Sequence, residues 1–373
     1  MIRIAVADDS AFIRRALARL LSHEDGIELM GTAASGEELL DNLDRWRPDA
    51  IVLDLSMPGM GGLATLDRIM ATRPTPVLIL STHSKKDAPQ TIEALHRGAL
   101  DFIDKQEYSL VDFDALRGVL IERLRLITGM MGDEPDEPEG PPHPQAAKPP
   151  RRRPAGRYSA GSAGPAGSAG AASPAAPPAT ATEERVDIVL IGASTGGPPA
   201  IERILKDLGA SISVPVAVVQ HMPAGFTRAF ADRLNAYLPL HVREATDREP
   251  LLPGTVYIAP GGRHLTVVWD GGGLSAVLTD DPTATHRPSV DALFTSAAAA
   301  VGRRAIAVLL TGMGHDGAQG MTELARAGAR TLAQDEATSI IYGMPRAAVL
   351  AGAVGESLAL PAIGGRLKEL LGD

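Results

Sequence analysis

The sequence predicts an α/β protein of two parallel-sheet domains joined by a long linker. Three observations carry that expectation. Short runs of Ile, Val and Leu alternate with helical patterns over residues 1–128 and again from Val186 onward, the pattern of sheets wound by helices. Between them, residues 131–181 lose all apolar periodicity. The residues able to do chemistry also fall at strand ends, where ligands bind in sheets of this kind.

In the first half, strands are expected at Ile2–Ala7, Ile27–Ala33, Ala50–Asp54, 77–80 and 100–103, with helices between them and after the last. Their ends present Asp8 and Asp9, Asp54, Ser81 and Lys105. Three carboxylates at one edge repel one another unless a cation sits among them, and a hard, oxygen-seeking ion such as Mg²⁺ suits them. With a hydroxyl and an ammonium added, the site can bind a phosphoryl group. The plainer alternative is that Asp8 and Asp9 cap the helix beginning near Ala11 and that Asp54 opens the turn Met57-Pro58-Gly59.

This arrangement closely resembles the response-regulator receiver domain across residues 1–128, a flavodoxin-like fold with a five-stranded parallel sheet. The resemblance implies that Asp54 accepts a phosphoryl group from a histidine kinase. It further implies that Asp8, Asp9 and Asp54 hold Mg²⁺, that Ser81 and Lys105 contact the phosphoryl oxygens, and that Phe102 is the aromatic switch position. One departure is the Lys105-Gln106 pair, where receivers usually have Lys-Pro with a cis bond; before a non-proline that bond costs about 2.5–4 kcal/mol.

Residues 129–184 form the expected linker. They start acidic and proline-rich (Asp133-Glu134-Pro135-Asp136-Glu137), pass through Arg151-Arg152-Arg153, and continue in Ala, Gly, Ser and Pro. Such a composition buries too little apolar surface to offset the entropy of ordering, so disorder is expected. The arginine triplet, beside acidic residues in a chain of net charge -9, reads as a solvated run. A general nucleic-acid binder would carry a basic face, so that function is disfavoured.

The second half, 185–373, opens with an apolar strand at 187–191 running into Gly192-Ala193-Ser194-Thr195-Gly196 and a helix at 198–208. The turn fits the G-x-S-x-G pattern that exposes a serine above a sheet edge. A phosphate-binding turn and a serine N-cap remain alternatives for the motif alone. Further strands are expected at Val216–Gln220, Thr255–Ile258, His264–Trp269, 275–278 and 305–310, with helices near 225–236, 289–300, 316–327 and 344–352. A dinucleotide site would want an acid after the second strand; His221 stands there instead.

A serine nucleophile needs a base held by a third group. His221 is the candidate base and Asp316, on the glycine turn Gly312-Met313-Gly314-His315-Asp316-Gly317, the candidate acid. A cap of the following helix is the alternative for Asp316. His264 and His286 lie near loops and could line the pocket; His315 is a weaker rival base, and His241 reads as solvated. The glycine turns at Gly192–Gly197 and Gly312–Gly314 offer backbone N–H donors for an oxyanion.

Five segments, around Gly192–Gly197, Gln220–Thr227, Ile258–Gly262, Leu310–Gly317 and Ala333–Glu336, together closely resemble the chemotaxis protein-glutamate methylesterase family, CheB, in its order of receiver then esterase. The resemblance implies a doubly wound, mostly parallel catalytic domain with Ser194, His221 and Asp316 as the triad and Thr195 and Met313 in the oxyanion region. It implies a phosphorylation-activated hydrolase of γ-methyl glutamate esters, also deamidating some glutamines, on methyl-accepting chemoreceptors. No cofactor is expected for the esterase. Departures are His315, where Asn is more usual, and a longer linker. A phosphorylation-controlled receptor-binding module without turnover is the alternative. With no cysteine, no signal-peptide pattern and no apolar run of about 20 residues, a cytoplasmic protein that is not membrane-inserted is expected.

Overall fold

Alternation of side chains along a strand, with a period of two, allows a buried strand to feed apolar groups into both faces of a sheet. A computed structural model of the chain describes residues 1–81, 88–105, 113–129, 185–210, 212–282 and 284–372. The expectations for the linker core and for the Lys105-Gln106 bond fall outside the described residues.

The first half runs β1 (Ile2–Ala7), α1 (Ala11–Ser22), β2 (Ile27–Ala33), α2 (Gly36–Trp46), β3 (Ala50–Asp54), α3 (Gly61–Thr72), β4 (Val77–Ser81), α4 (Ala88–His96), β5 (Asp101–Asp104) and α5 (Phe113–Ile127). Its five strands are parallel in the order β2-β1-β3-β4-β5. Ile4 and Val6 pack with Leu17 and Leu21 of α1 and Leu120 and Leu124 of α5. Ala5 and Ala7 share the opposite cluster with Leu39, Leu66, Ile69 and Ile92. The fourth and fifth strands end one residue beyond their expected limits, at Ser81 and Asp104, because polar residues there still pair in the ladder.

The second half runs β6 (Ile188–Ala193), α6 (Gly197–Leu208), β7 (Val216–Gln220), α7 (Phe226–Tyr237), β8 (His241–Glu244), β9 (Thr255–Ile258), β10 (His264–Trp269), β11 (Leu274–Thr279), α8 (Val290–Ala300), β12 (Ala305–Leu309), α9 (Ala318–Arg326), β13 (Arg330–Gln334), α10 (Met344–Leu350), β14 (Glu356–Leu358) and α11 (Leu360–Leu371). Seven strands are parallel in the order β14-β13-β12-β6-β7-β9-β8. β10 and β11 form a separate antiparallel hairpin. From β6 the chain moves outward through β7 and then returns to β12 on the other side. The strand order therefore reverses between β6 and β12, and the carboxyl ends of those two strands frame the crevice.

The two halves meet through side chains. Phe102 of β5 lies against Phe226, the first residue of α7, with ring centroids 4.5 Å apart. Both rings are buried and one apolar cluster runs through both halves. Glu93 of α4 pairs with Arg233, and His96 Nδ1 lies 3.0 Å from Glu202 Oε2.

Candidate functional site

At the end of β6 the backbone turns through Gly196, whose φ of 77° is a left-handed conformation that glycine tolerates. Ser194 is nearly buried. Its N–H donates to Thr311 O at 3.0 Å, and its carbonyl accepts from Gly197 N at 2.8 Å and Gln220 Nε2 at 2.9 Å. Pro198 and Pro199 occupy the first turn of α6 and bring no N–H. With Gly197 N–H already used, this helix start is poor in the donors that a phosphate loop presents. Among the described residues Ser194 caps no helix through its hydroxyl, and the N-cap of α6 is Gly196.

His221 directly follows β7, its N–H donating to Ala193 O at 3.1 Å. Its Nε2 lies 2.7 Å from Asp316 Oδ2, while its Nδ1 is buried without a hydrogen-bond partner among the described residues. This reverses the usual arrangement, in which the acid holds Nδ1 and the serine meets Nε2. With the carboxylate accepting from Nε2–H, the lone pair is left on Nδ1. No hydrogen bond joins Ser194 Oγ to His221 among the described residues; such bonds commonly tighten only when substrate is bound.

Asp316 caps a helix, but α8 rather than the α9 that follows it. Its Oδ1 accepts from Ser289 Oγ at 2.8 Å and Asp291 N at 2.9 Å, and its Oδ2 from Val290 N at 2.7 Å. Burial would raise its pKa, but His221 and the Asp291 and Val290 N–H groups outweigh that and hold the carboxyl well below the usual range. Neighbouring Asp291 is pushed up to about 6, mainly by burial, and Asp316 adds to the rise.

Of the histidines left open by the sequence, His286 stacks on His221 with centroids 4.3 Å apart. It is itself solvent-exposed, and partial desolvation, followed by the neighbouring His221, lowers its pKa. His264 is buried beneath the site: its Nδ1 accepts from Ser289 N at 3.2 Å and its Nε2 donates to Asp281 O at 2.9 Å. It steadies Ser289, the N-cap of α8, whose hydroxyl donates to Asp316. His315 and His241 are exposed.

Thr195 N–H and Met313 N–H take part in no backbone hydrogen bond among the described residues, which leaves both available to an oxyanion. The Thr195 side chain is held from the first half of the chain, a contact that sequence reasoning missed. Its Oγ1 donates to Asp101 Oδ2 at 2.5 Å and accepts from Arg123 at 3.2 Å, and Arg123 pairs with Asp101.

At the edge of the first sheet, ligand oxygens of Asp8, Asp9 and Asp54 lie within 4.8 Å of one another. Lys105 Nζ is 2.8 Å from Asp8 Oδ2 and 3.1 Å from Asp54 Oδ2. One ammonium against three carboxylates leaves an excess of negative charge. Burial raises the Asp54 pKa, Lys105 counters it, and Asp8 raises it further. Oxygen-only donors around an exposed Asp9 fit a small, partly hydrated divalent cation. Ser81 Oγ is 2.7 Å from Thr91 Oγ1.

The fold and these two edges define a class: a phosphoacceptor-type α/β domain joined to an α/β domain bearing serine, histidine and aspartate at its switch point. Residues 4–112 match the response regulator receiver domain family and residues 189–367 the CheB methylesterase family. A protein-glutamate methylesterase/protein-glutamine glutaminase of Anaeromyxobacter dehalogenans is 41% identical over 97% of this chain and 97% of its own. One from Nitratidesulfovibrio vulgaris is 43% identical over 95% of each. The crystallised catalytic domain of Thermotoga maritima CheB methylesterase aligns at 39% identity and a TM-score of 0.49, covering 50% of this chain and 100% of that one. The chain belongs to the CheB family of protein-glutamate methylesterases/protein-glutamine glutaminases that carry a receiver domain.

Proposed function

We propose that Ser194 is the nucleophile of this methylesterase, His221 its general base and Asp316 the acid that orients the base. The reading rests above all on His221, whose Nε2 is held by Asp316 while Nδ1 is buried and, among the described residues, without a partner. Ser194 Oγ attacks the γ-carbonyl of a glutamate methyl ester and its proton passes to His221 Nδ1. Thr195 and Met313 N–H groups receive the developing oxyanion. Methanol leaves with the proton from Nδ1, and a water activated by His221 then releases the carboxylate. With a glutamine side chain, ammonia leaves in place of methanol. The substrates are helices of methyl-accepting chemoreceptors.

Division of the chain into a receiver (1–128), a linker (129–184) and a catalytic domain (185–373) belongs to the same reading. In the receiver, Asp54 takes the phosphoryl group from a histidine kinase, with Lys105 and Ser81 contacting its oxygens. Mg²⁺, when bound by Asp8, Asp9 and Asp54, supplies charge neutralisation for the incoming phosphoryl oxygens. Phosphorylation loosens the hold of Asp101 and Arg123 on Thr195 and opens the cleft. A cytoplasmic location accords with these partners; no helix among the described residues is long and apolar enough to cross a membrane.

Receptor demethylation by Ser194→Ala tests the assignment. A fall on the order of 10³-fold or more is expected; near wild-type methanol release would overturn it.

A further inference from the structure

Gln220 ends β7 with its side chain buried rather than directed to solvent. Its Nε2 donates to Ser194 O at 2.9 Å and to His221 O at 3.2 Å. Two carbonyl oxygens on that side fix which end of the amide is nitrogen. The other end, Oε1, is buried without a hydrogen-bond partner among the described residues, and it rests against Gly197, where an added β-carbon would overlap it. A buried amide with one end unsatisfied costs stability.

The peptide group is planar and trans, so its C=O and N–H point in opposite directions. The carbonyl held by Gln220 belongs to the peptide whose N–H is that of Thr195. Ser194 O also accepts from Gly197 N at 2.8 Å, so Gln220 and that N–H together set the direction of the Thr195 N–H, which makes no backbone bond of its own among the described residues. The same amide ties down the carbonyl of the residue that carries the base. We infer that Gln220 is a positioning residue: it orients the Thr195 N–H as an oxyanion donor and keeps the Ser194 and His221 backbones in register. This inference rests on Ser194 being the nucleophile. Gln220 touches no reacting atom, so its effect falls on the chemical step and leaves ground-state binding alone.

The test uses the full chain treated with acetyl phosphate, with methanol release from methylated receptor as readout. Gln220→Met keeps the volume and removes both donors; we expect kcat to fall about 10- to 100-fold with KM within about 2-fold, since complete loss of one oxyanion donor costs about 10²–10³. Gln220→Glu can donate only when protonated, so its activity relative to wild type should rise as pH falls from 8 to 6. A wild-type kcat for Gln220→Met, or a loss confined to KM, overturns the inference. If Gln220→Met does not fold, the pH course of Gln220→Glu decides: a constant ratio to wild type is equally fatal. Ser194→Ala run alongside separates the two readings. Its inactivity beside a fully active Gln220→Met removes only the role of Gln220, whereas activity of Ser194→Ala removes the nucleophile assignment itself.

Discussion

Asp54 and Asp316 both lie at the carboxyl edge of a parallel sheet, both are largely buried, and their carboxyl groups are driven in opposite directions. Asp54 receives Lys105 and a Ser56 N–H at 3.2 Å, and has Asp8 beside it. Burial prevails and its pKa rises. Asp316 receives His221, Ser289 and two N–H groups of the α8 start, and its pKa falls despite burial. Donor number, more than depth, separates a carboxylate with an oxygen left to react from one fixed as a permanent anion.

The largest expected effect breaks the first half of this contrast. Asp54→Asn should abolish phosphoryl labelling by acetyl phosphate, and undiminished labelling of that variant would refute the phosphoacceptor role. Next, Asp316→Asn should reduce kcat for demethylation by about 10³- to 10⁴-fold through loss of the correct imidazole tautomer; a loss smaller than tenfold would show that Asp316 does not orient the base.

The same pair of substitutions should move stability in opposite directions. The folded pKa of Asp316 is depressed, so its contribution is present above the unfolded value of about 3.9 and lost as pH falls through the folded one. Asp316→Asn should therefore destabilise at pH 7 by about 1–3 kcal/mol, and the deficit should shrink only below about pH 4. The folded pKa of Asp54 is raised, so its ionised form costs stability above that pKa and nothing below about 3.9. Asp54→Asn should raise the melting temperature at pH 7 without Mg²⁺, with the gain fading by about pH 4. Denaturation at the two pH values checks both, and a shift of the same sign in the two variants would undo the comparison. The smallest effect concerns the link between the edges: Arg123→Ala should raise methanol release by the unphosphorylated chain several-fold and leave the phosphorylated chain nearly unchanged. Equal activity of wild type and variant before phosphorylation would argue against a restraining contact at Thr195.

The buried strands of the first sheet were legible because runs such as Ile2–Ala7 and Ala50–Asp54 are apolar on both faces. β8, β13, β14 and α11 were not anticipated. β8 is an edge strand with one buried residue, Val242, in His-Val-Arg-Glu, and β14 has none, so neither shows an apolar run. Within the site, Ser194, His221 and Asp316 could be named because each follows a strand at a glycine turn or a strand end. That Asp316 caps α8 could not, since its donors lie 25 to 27 residues away in sequence. The hold of Asp101 and Arg123 on Thr195 joins groups 94 and 72 residues apart and leaves no local periodicity. Gln220 read as the last residue of a strand; only its inward side chain marks it out.

The reversal of strand order beside β6 also has a consequence in time. Ala305 pairs with Ile188, and His221 meets an aspartate 95 residues later in the chain. At a synthesis rate of about 5–20 residues per second, several seconds separate the emergence of His221 from that of Asp316. A nascent or truncated chain ending before β12 carries the serine and the histidine but lacks the acid and the central strand neighbour. On the proposed assignment of Ser194, His221 and Asp316, hydrolytic competence arrives late in synthesis, after the first sheet has been made.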